Sequence, residues 1–160
     1  MSQRIQHIIE DITEQYLEND GNIPWIIGFS GGKDSTVVLT LVWRALLAIR
    51  ATLGNESLKR PVFVVNNDTL VENPIISDYI IEVLDCIKTA AVKQDLPITV
   101  QITTPKLEDS FWISFLGKGY PVPNNQFRWC TDRLKIKPTS QFILDKIDAM
   151  GEAIVPVSYT

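Results

Sequence analysis

The sequence predicts an α/β fold, a parallel sheet of about four strands with helices on both faces, and three observations carry that reading. Apolar runs of strand length alternate with longer segments of helical period. The strands are continuous apolar runs, such as Pro-Val-Phe-Val-Val-Asn at 61–66, as expected where both faces of a parallel sheet are covered. Residues 26–36 run from a strand through paired glycines into a helix. Ligand sites of such sheets form at junctions of this kind, beyond the carboxyl ends of strands.

Taken in order, Ile5, Ile8, Ile9, Ile12 and Tyr16 follow the helical period, so residues 3–19 read as an amphipathic helix closing near Gly21. Residues 23–29 form the first buried strand. Val38, Leu39, Val42, Leu46 and Ile49 place a helix over 35–51. A polar connector at 55–60 leads to the second strand at 61–66. Ile76, Ile80, Val83, Leu84, Ile87 and Ala91 place a third helix at 75–94. The third strand is 98–102, followed by a short helix at 108–116 and an irregular stretch at 117–131 containing Gly117, Gly119, Pro121 and Pro123. Residues 133–149 read as a helix with Pro138 in its first turns. A fourth strand at 153–157 contains Pro156, which is odd because a central parallel strand needs that N–H. The 160 residues suit one domain, with 1–22 as an N-terminal helix and 23–160 as the functional unit.

Composition narrows the classes. With 45% hydrophobic and 21% charged residues, the chain is neither disordered nor fibrous. No apolar run approaches the roughly 20 residues of a membrane span. The start, Met1-Ser2-Gln3-Arg4, leads into an amphipathic segment and not a signal-peptide core. Cys86 and Cys130 have no C-x-x-C spacing and suit a reducing compartment. The expectation is a cytoplasmic protein without a membrane partner. A net charge of −4 gives no global attraction to nucleic acid, so DNA contact requires a local patch. His7 lies on the first helix without a partner at ligand spacing and reads as a surface or boundary residue.

The turn Ser30-Gly31-Gly32-Lys33-Asp34-Ser35 carries the chemistry. Glycines let backbone N–H groups approach a ligand without a Cβ in the way, and the following helix aims its positive end at the same point. Ser30, Ser35 and Thr36 add hydroxyls and Lys33 a mobile cation. The spacing excludes a Walker A loop: five residues before Gly32 stands Ile27, and Asp34 follows the lysine. The string resembles the SGGxDS pyrophosphate loop of N-type ATP pyrophosphatases, which cut ATP into AMP and pyrophosphate. The plain structural alternative is a strand-to-helix turn with Asp34 or Ser35 as a cap.

Two further segments stand out. Asn66-Asn67-Asp68-Thr69-Leu70-Val71-Glu72-Asn73-Pro74 follows the second strand. It suits a polar turn and cap, and it also resembles the Asp-Thr-Gly stretch of phosphoadenosine-phosphosulfate reductases. Asp68 could hold Mg²⁺ or a ribose hydroxyl; both roles stay open. Magnesium is expected, because a departing pyrophosphate develops charge that a hard cation stabilises. Ser30, Asp68 and Thr103 all follow strand ends and so could share one crevice. In the third segment, Cys130, Lys135 and Pro138 resemble the Cys-x-x-x-Lys-x-x-Pro element of the same reductases, with one more residue between the cysteine and the lysine. Arg128, Arg133, Lys135 and Lys137 make a local basic patch with Trp129 available to stack, suiting a phosphate or a nucleic-acid backbone, or simply a solvated helix start. Cys130, flanked by cations, is open to persulfide chemistry, cluster ligation or an inert role. Cys86, near the apolar side of the third helix, reads as core.

Together these strings resemble the DNA phosphorothioation sulfurtransferases of the DndC type, over most of residues 24–150. The resemblance implies an adenine nucleotide α-hydrolase-like, Rossmann-like fold and makes 23–160 an ATP pyrophosphatase domain. It implies cleavage of ATP to AMP and pyrophosphate, sulfur placed in the DNA backbone, and a cysteine desulfurase with other phosphorothioation proteins as partners. Ser30, Gly31, Gly32, Lys33, Asp34, Ser35, Asp68, Thr69, Arg133 and Lys135 would contact the nucleotide. Asp34 and Asp68 would hold Mg²⁺, and Lys33, Asp34 and Cys130 would act in catalysis. Family members also carry a four-iron cluster, for which Cys130 is the one matching ligand, and continue with a Gly-x-Arg motif and further cysteines past the fourth strand. This chain ends at Thr160, so the expectation is a version lacking that part, with little or no cluster. Two alternatives are a phosphosulfate reductase-like enzyme and a silent nucleotide-binding module acting through partners.

Overall fold

A computed structural model describes residues 3–18 and 23–155. The elements are α1 (Gln3–Leu17), β1 (Trp25–Gly28), α2 (Lys33–Leu53), β2 (Val62–Asn67), α3 (Pro74–Lys93), β3 (Ile98–Thr103), α4 (Trp129–Thr131) and α5 (Lys137–Met150). The three strands form one parallel sheet in the order β1-β2-β3, with Trp25 opposite Val62 and Val62 opposite Ile98. Adjacent N–H groups of β1 point to opposite edges: Trp25 donates to the Pro61 carbonyl at 2.9 Å and Ile26 to that of Ile154 at 2.8 Å. Ile154 therefore bridges, in parallel, the edge of β1 away from β2. Of the expected fourth strand, this bridge is the part seen among the described residues. Pro156 and Val157 lie outside them, as does Gly21. Chain order thus reverses direction at β1, and a crevice opens at its carboxyl end.

Both sheet faces are covered, as the apolar runs predicted. Strand alternation sends Trp25, Ile27, Val62, Val64 and Ile98 to one face, against Leu39, Val42, Leu46 and Ile49 of α2, Tyr16 of α1 and Leu84 of α3. Ile26, Phe63 and Val65 point the other way, beneath Phe142 and Ile143 of α5. Phe142 meets Phe63 edge-to-face at 5.8 Å. The edge strand β3 departs from the fully buried expectation. Its sequence alternates, and Thr99 and Gln101 are exposed.

Two sequence readings need correction. α2, with 21 residues, is long and apolar enough to cross a bilayer, so one run does reach that length. Here its apolar stripe, Leu39, Val42, Ala45, Leu46 and Ile49, is buried in the fold. Cys86 is exposed and not core. α3 packs through Leu84 and Ala91, and a residue two places from Leu84 falls on the far side of a helix.

Between β3 and α5 the expected short helix is a 3₁₀ turn at Leu107–Asp109 and a π turn at Ile113–Gly117. The irregular stretch closes over an aromatic cluster. Trp129 stacks on Phe111 with centroids 5.4 Å apart and donates its indole N–H to the Pro121 carbonyl at 2.8 Å. A second π turn, Asp132–Ile136, leads into α5. Pro138, which has no N–H to donate back, stands in the first turn of α5.

Candidate functional site

The glycine turn lies at the carboxyl end of β1, anchored on both sides. The Phe29 N–H donates to the Val65 carbonyl at 2.8 Å, and the buried Asn66 amide donates to the Phe29 carbonyl at 2.7 Å. Two serines then close the loop. Ser30 and Ser35 hydroxyls lie 3.2 Å apart, the Ser30 N–H donates to Ser35 Oγ at 3.3 Å, and Ser35 Oγ donates to the Gly32 carbonyl at 3.0 Å. The two glycines are not equivalent. Gly31 sits at φ +74°, where a Cβ would overlap Ile80 of α3, whereas Gly32 would only bring a Cβ to 3.4 Å from Ser30 Oγ. Only the first is required by the backbone.

Gly32 is the N-cap of α2, and no side chain caps it. The first intrahelical bond is from the Thr36 N–H to the Gly32 carbonyl, 3.0 Å. The N–H groups of Lys33, Asp34 and Ser35 therefore precede the helical ladder and point out of the helix start. With the helix dipole behind them they form an anion-binding end.

That end opens on a cleft of about 510 Å³ lined by Ser30, Asp34 and Ser35, by Asp68 and Glu72, and by Lys135 and Thr139. All three sequence segments thus meet at one place. Asp68 is held in an Asx turn, its carboxylate accepting the Leu70 N–H at 2.8 Å. The turn forces Leu70 to φ +62°, a costly conformation for that residue. Buried Thr69 donates to Glu72 at 3.3 Å, so it shapes the turn and does not face the cleft. Lys135 lies 4.0 Å from Glu72. Ile76, Ile80, Ile81 and Ile102 form an apolar wall.

Other expected residues stand elsewhere. Lys33 is exposed at the first position of α2 and does not line the cleft; neither does Cys130, which is half-buried in α4. Thr103 faces an adjoining cleft of about 530 Å³ on the other side of α5's start. The basic patch is largely internally paired. Arg133 forms an ion pair with Asp109 and donates to the Tyr120 hydroxyl at 2.6 Å, and Lys137 lies 3.7 Å from Asp109. Trp129, only 7% exposed, is not available to stack on a base. Its ring neighbours, Phe111 and Tyr120, are two aromatics upstream that a reading of the basic run alone overlooks. His7 is exposed beside Glu10 and Asp11, as expected.

Sequence reasoning missed the asparagines and Thr139. Asn67 Oδ1 accepts hydrogen bonds from the hydroxyls of Thr103 and Thr139, the latter at 2.8 Å. One amide therefore ties the ends of β2 and β3 to α5 and fixes where Lys135 stands. Two consecutive asparagines ending an apolar strand were the available signal, because buried amides at strand ends need partners.

The donor set fits Mg²⁺. Asp34 and Asp68 offer hard oxygens in the same cleft as the helix start, and Mg²⁺ takes one or two carboxylates, completing its shell with water and phosphate oxygens. Among the described residues no three His, Cys, Asp or Glu side chains gather as a metal cage. For the four-iron cluster that the family resemblance implies, the two cysteines Cys86 and Cys130 are free thiols on different helices, whereas a cluster needs four ligands.

Among solved structures, the NH3-dependent NAD synthetase from Campylobacter jejuni subsp. jejuni NCTC 11168, in complex with the nitrate ion, superimposes with a TM-score of 0.54 at 19% identity, over 99% of this chain and 57% of that one. The chain shares the fold of that enzyme over this region. This chain spans a little over half the length of that NAD synthetase. No family model and no curated protein matches the sequence.

Proposed function

We propose that this chain binds ATP with Mg²⁺ in the cleft at the carboxyl end of β1 and cleaves it between the α and β phosphates. One observation carries the reading: the uncapped start of α2, the Asp68 turn and Lys135 converge on one cleft beside an apolar wall. The N–H groups of residues 33–35, with Ser30 and Ser35, hold the β and γ phosphates. Lys33, on a flexible stem at the helix start, reaches the same oxygens. The isoleucine wall takes the apolar face of the base. When bound, Mg²⁺ held by Asp34 and Asp68 supplies charge stabilisation to the phosphates. An oxygen nucleophile bonds to the α phosphorus, the bond to the bridging oxygen breaks, and pyrophosphate leaves with the electron pair. The chain's share is positioning and preorganised charge.

The finer reading is that this cleavage serves sulfur transfer into the DNA backbone in a cytoplasmic phosphorothioation system, with a cysteine desulfurase as partner and Cys130 as the sulfur-handling thiol. Its support is the three matching strings. One observation favours a second reading, a nucleotide-binding module whose sulfur chemistry lies in another chain: Cys130 does not line the cleft and Arg133 is paired with Asp109.

Incubating the protein with Mg²⁺ and α-labelled ATP, with and without DNA and a cysteine desulfurase, tests these readings. AMP and pyrophosphate are expected, with a loss of at least about tenfold in rate for Lys33→Ala, as for removal of one donor to a developing charge. ADP and orthophosphate would sink the assignment. Bound ATP without turnover under any condition selects the binding module.

A further inference from the structure

We infer that the outer face of α3 is the contact surface of a two-fold symmetric dimer of this chain. α3 leaves most of its outer surface uncovered among the described residues. Of its 20 residues only Leu84 and Ala91 are buried, while Ile75 is 76% and Tyr79 54% exposed. A groove along the α2–α3 seam, lined by Trp43, Tyr79, Val83 and Ile87, continues past Cys86 to Ala90.

The face is complementary to itself in one orientation only. Exposed positions of the first half of α3 carry Asp78 and Glu82, and the second half ends in Lys93. Bulk follows the same polarity, with Ile75 and Tyr79 early and the small Thr89 and Ala90 late. Antiparallel packing of two copies sets acid against base and large against small. Parallel packing sets like charges together. Opposing Asp78 to the partner subunit's Lys93 puts the two-fold axis beside Cys86, which is exposed. The occupant is therefore a second copy. Because α3 also supports Gly31 through Ile80, the dimer would brace the loop from behind.

The test uses the full chain. Sedimentation at micromolar concentration is expected to give a dimer, and in a Cys130→Ser background a short bismaleimide is expected to join two chains through Cys86. Tyr79→Glu, on a solvent-facing site, should give monomers with an unchanged circular dichroism spectrum. Asp78→Lys should weaken the dimer on the order of tenfold, and adding Lys93→Asp should restore it. A monomer at all concentrations overturns the inference. So does a dimer that neither cross-links at Cys86 nor responds to Tyr79→Glu. A dimer that cross-links but shows no rescue by the charge swap overturns the antiparallel register.

Discussion

Gly31 and Gly32 look alike in the chain, yet only Gly31 has a positive φ, and only there would a Cβ overlap Ile80. Gly31→Ala is therefore expected to cost about 1–3 kcal/mol, read by denaturant unfolding, while Gly32→Ala stays within about 0.5 kcal/mol. A similar cost for both would mean that the loop is not built on a single left-handed residue. Asn66 is the other residue on which the loop depends. Its buried amide holds the Phe29 carbonyl at 2.7 Å, so Asn66→Leu strands a polar group and should lose about 1–3 kcal/mol. The residue-level chemistry was partly legible: Ser30, Asp34, Ser35, Asp68 and Lys135 were named from their strings and line one cleft. Trp129 and Cys86 were misplaced, because a residue's exposure depends on neighbours far away in the chain.

Among the elements, α3 begins with Asn73, whose Oδ1 accepts the Ile75 N–H at 2.9 Å, followed by Pro74 in the first turn. Asn73→Ala should destabilise the protein by about 0.5–2 kcal/mol, and an unchanged unfolding midpoint would show that packing alone sets the start of α3. The segment between β3 and α5 is held differently. Asp109 takes both Arg133 and Lys137, so Asp109→Ala leaves a half-buried guanidinium without its carboxylate and should cost about 1.5–3 kcal/mol. The extents of α2 and α3 were readable to within two residues, since each carries a full apolar stripe. The π turns at 113–117 and 132–136 were not readable, because a widened turn keeps helical composition and shifts only the hydrogen-bond register.

For the whole molecule, the base of the sheet carries its own titration. Tyr16, 1% exposed, donates to the Arg60 carbonyl at 2.6 Å. Burial pushes its phenol up from 10.0 to about 12, with the Arg60 contacts pulling the other way. Burial also pushes the Arg60 guanidinium down. A raised folded-state value for an acid that is neutral when protonated means that the fold prefers the protonated phenol. Its contribution is whole below the unfolded value of 10.0 and is lost as pH rises toward about 12. Stability measured across that alkaline range should fall in the native protein, and Tyr16→Phe should flatten the fall at a cost of about 1 kcal/mol near neutrality.

The order of strands and helices, the parallel sheet and the nature of the loop were written in local pattern: periodicity, apolar runs and two glycines between serines. Those signals are local because backbone geometry and burial period act over a few residues. Which strand Ile154 joins, how Asn67 ties three elements together, why Trp129 is stacked inward and why Arg133 is already paired required the folded chain. Each depends on contacts between segments distant in sequence, and no local pattern encodes a partner tens of residues away.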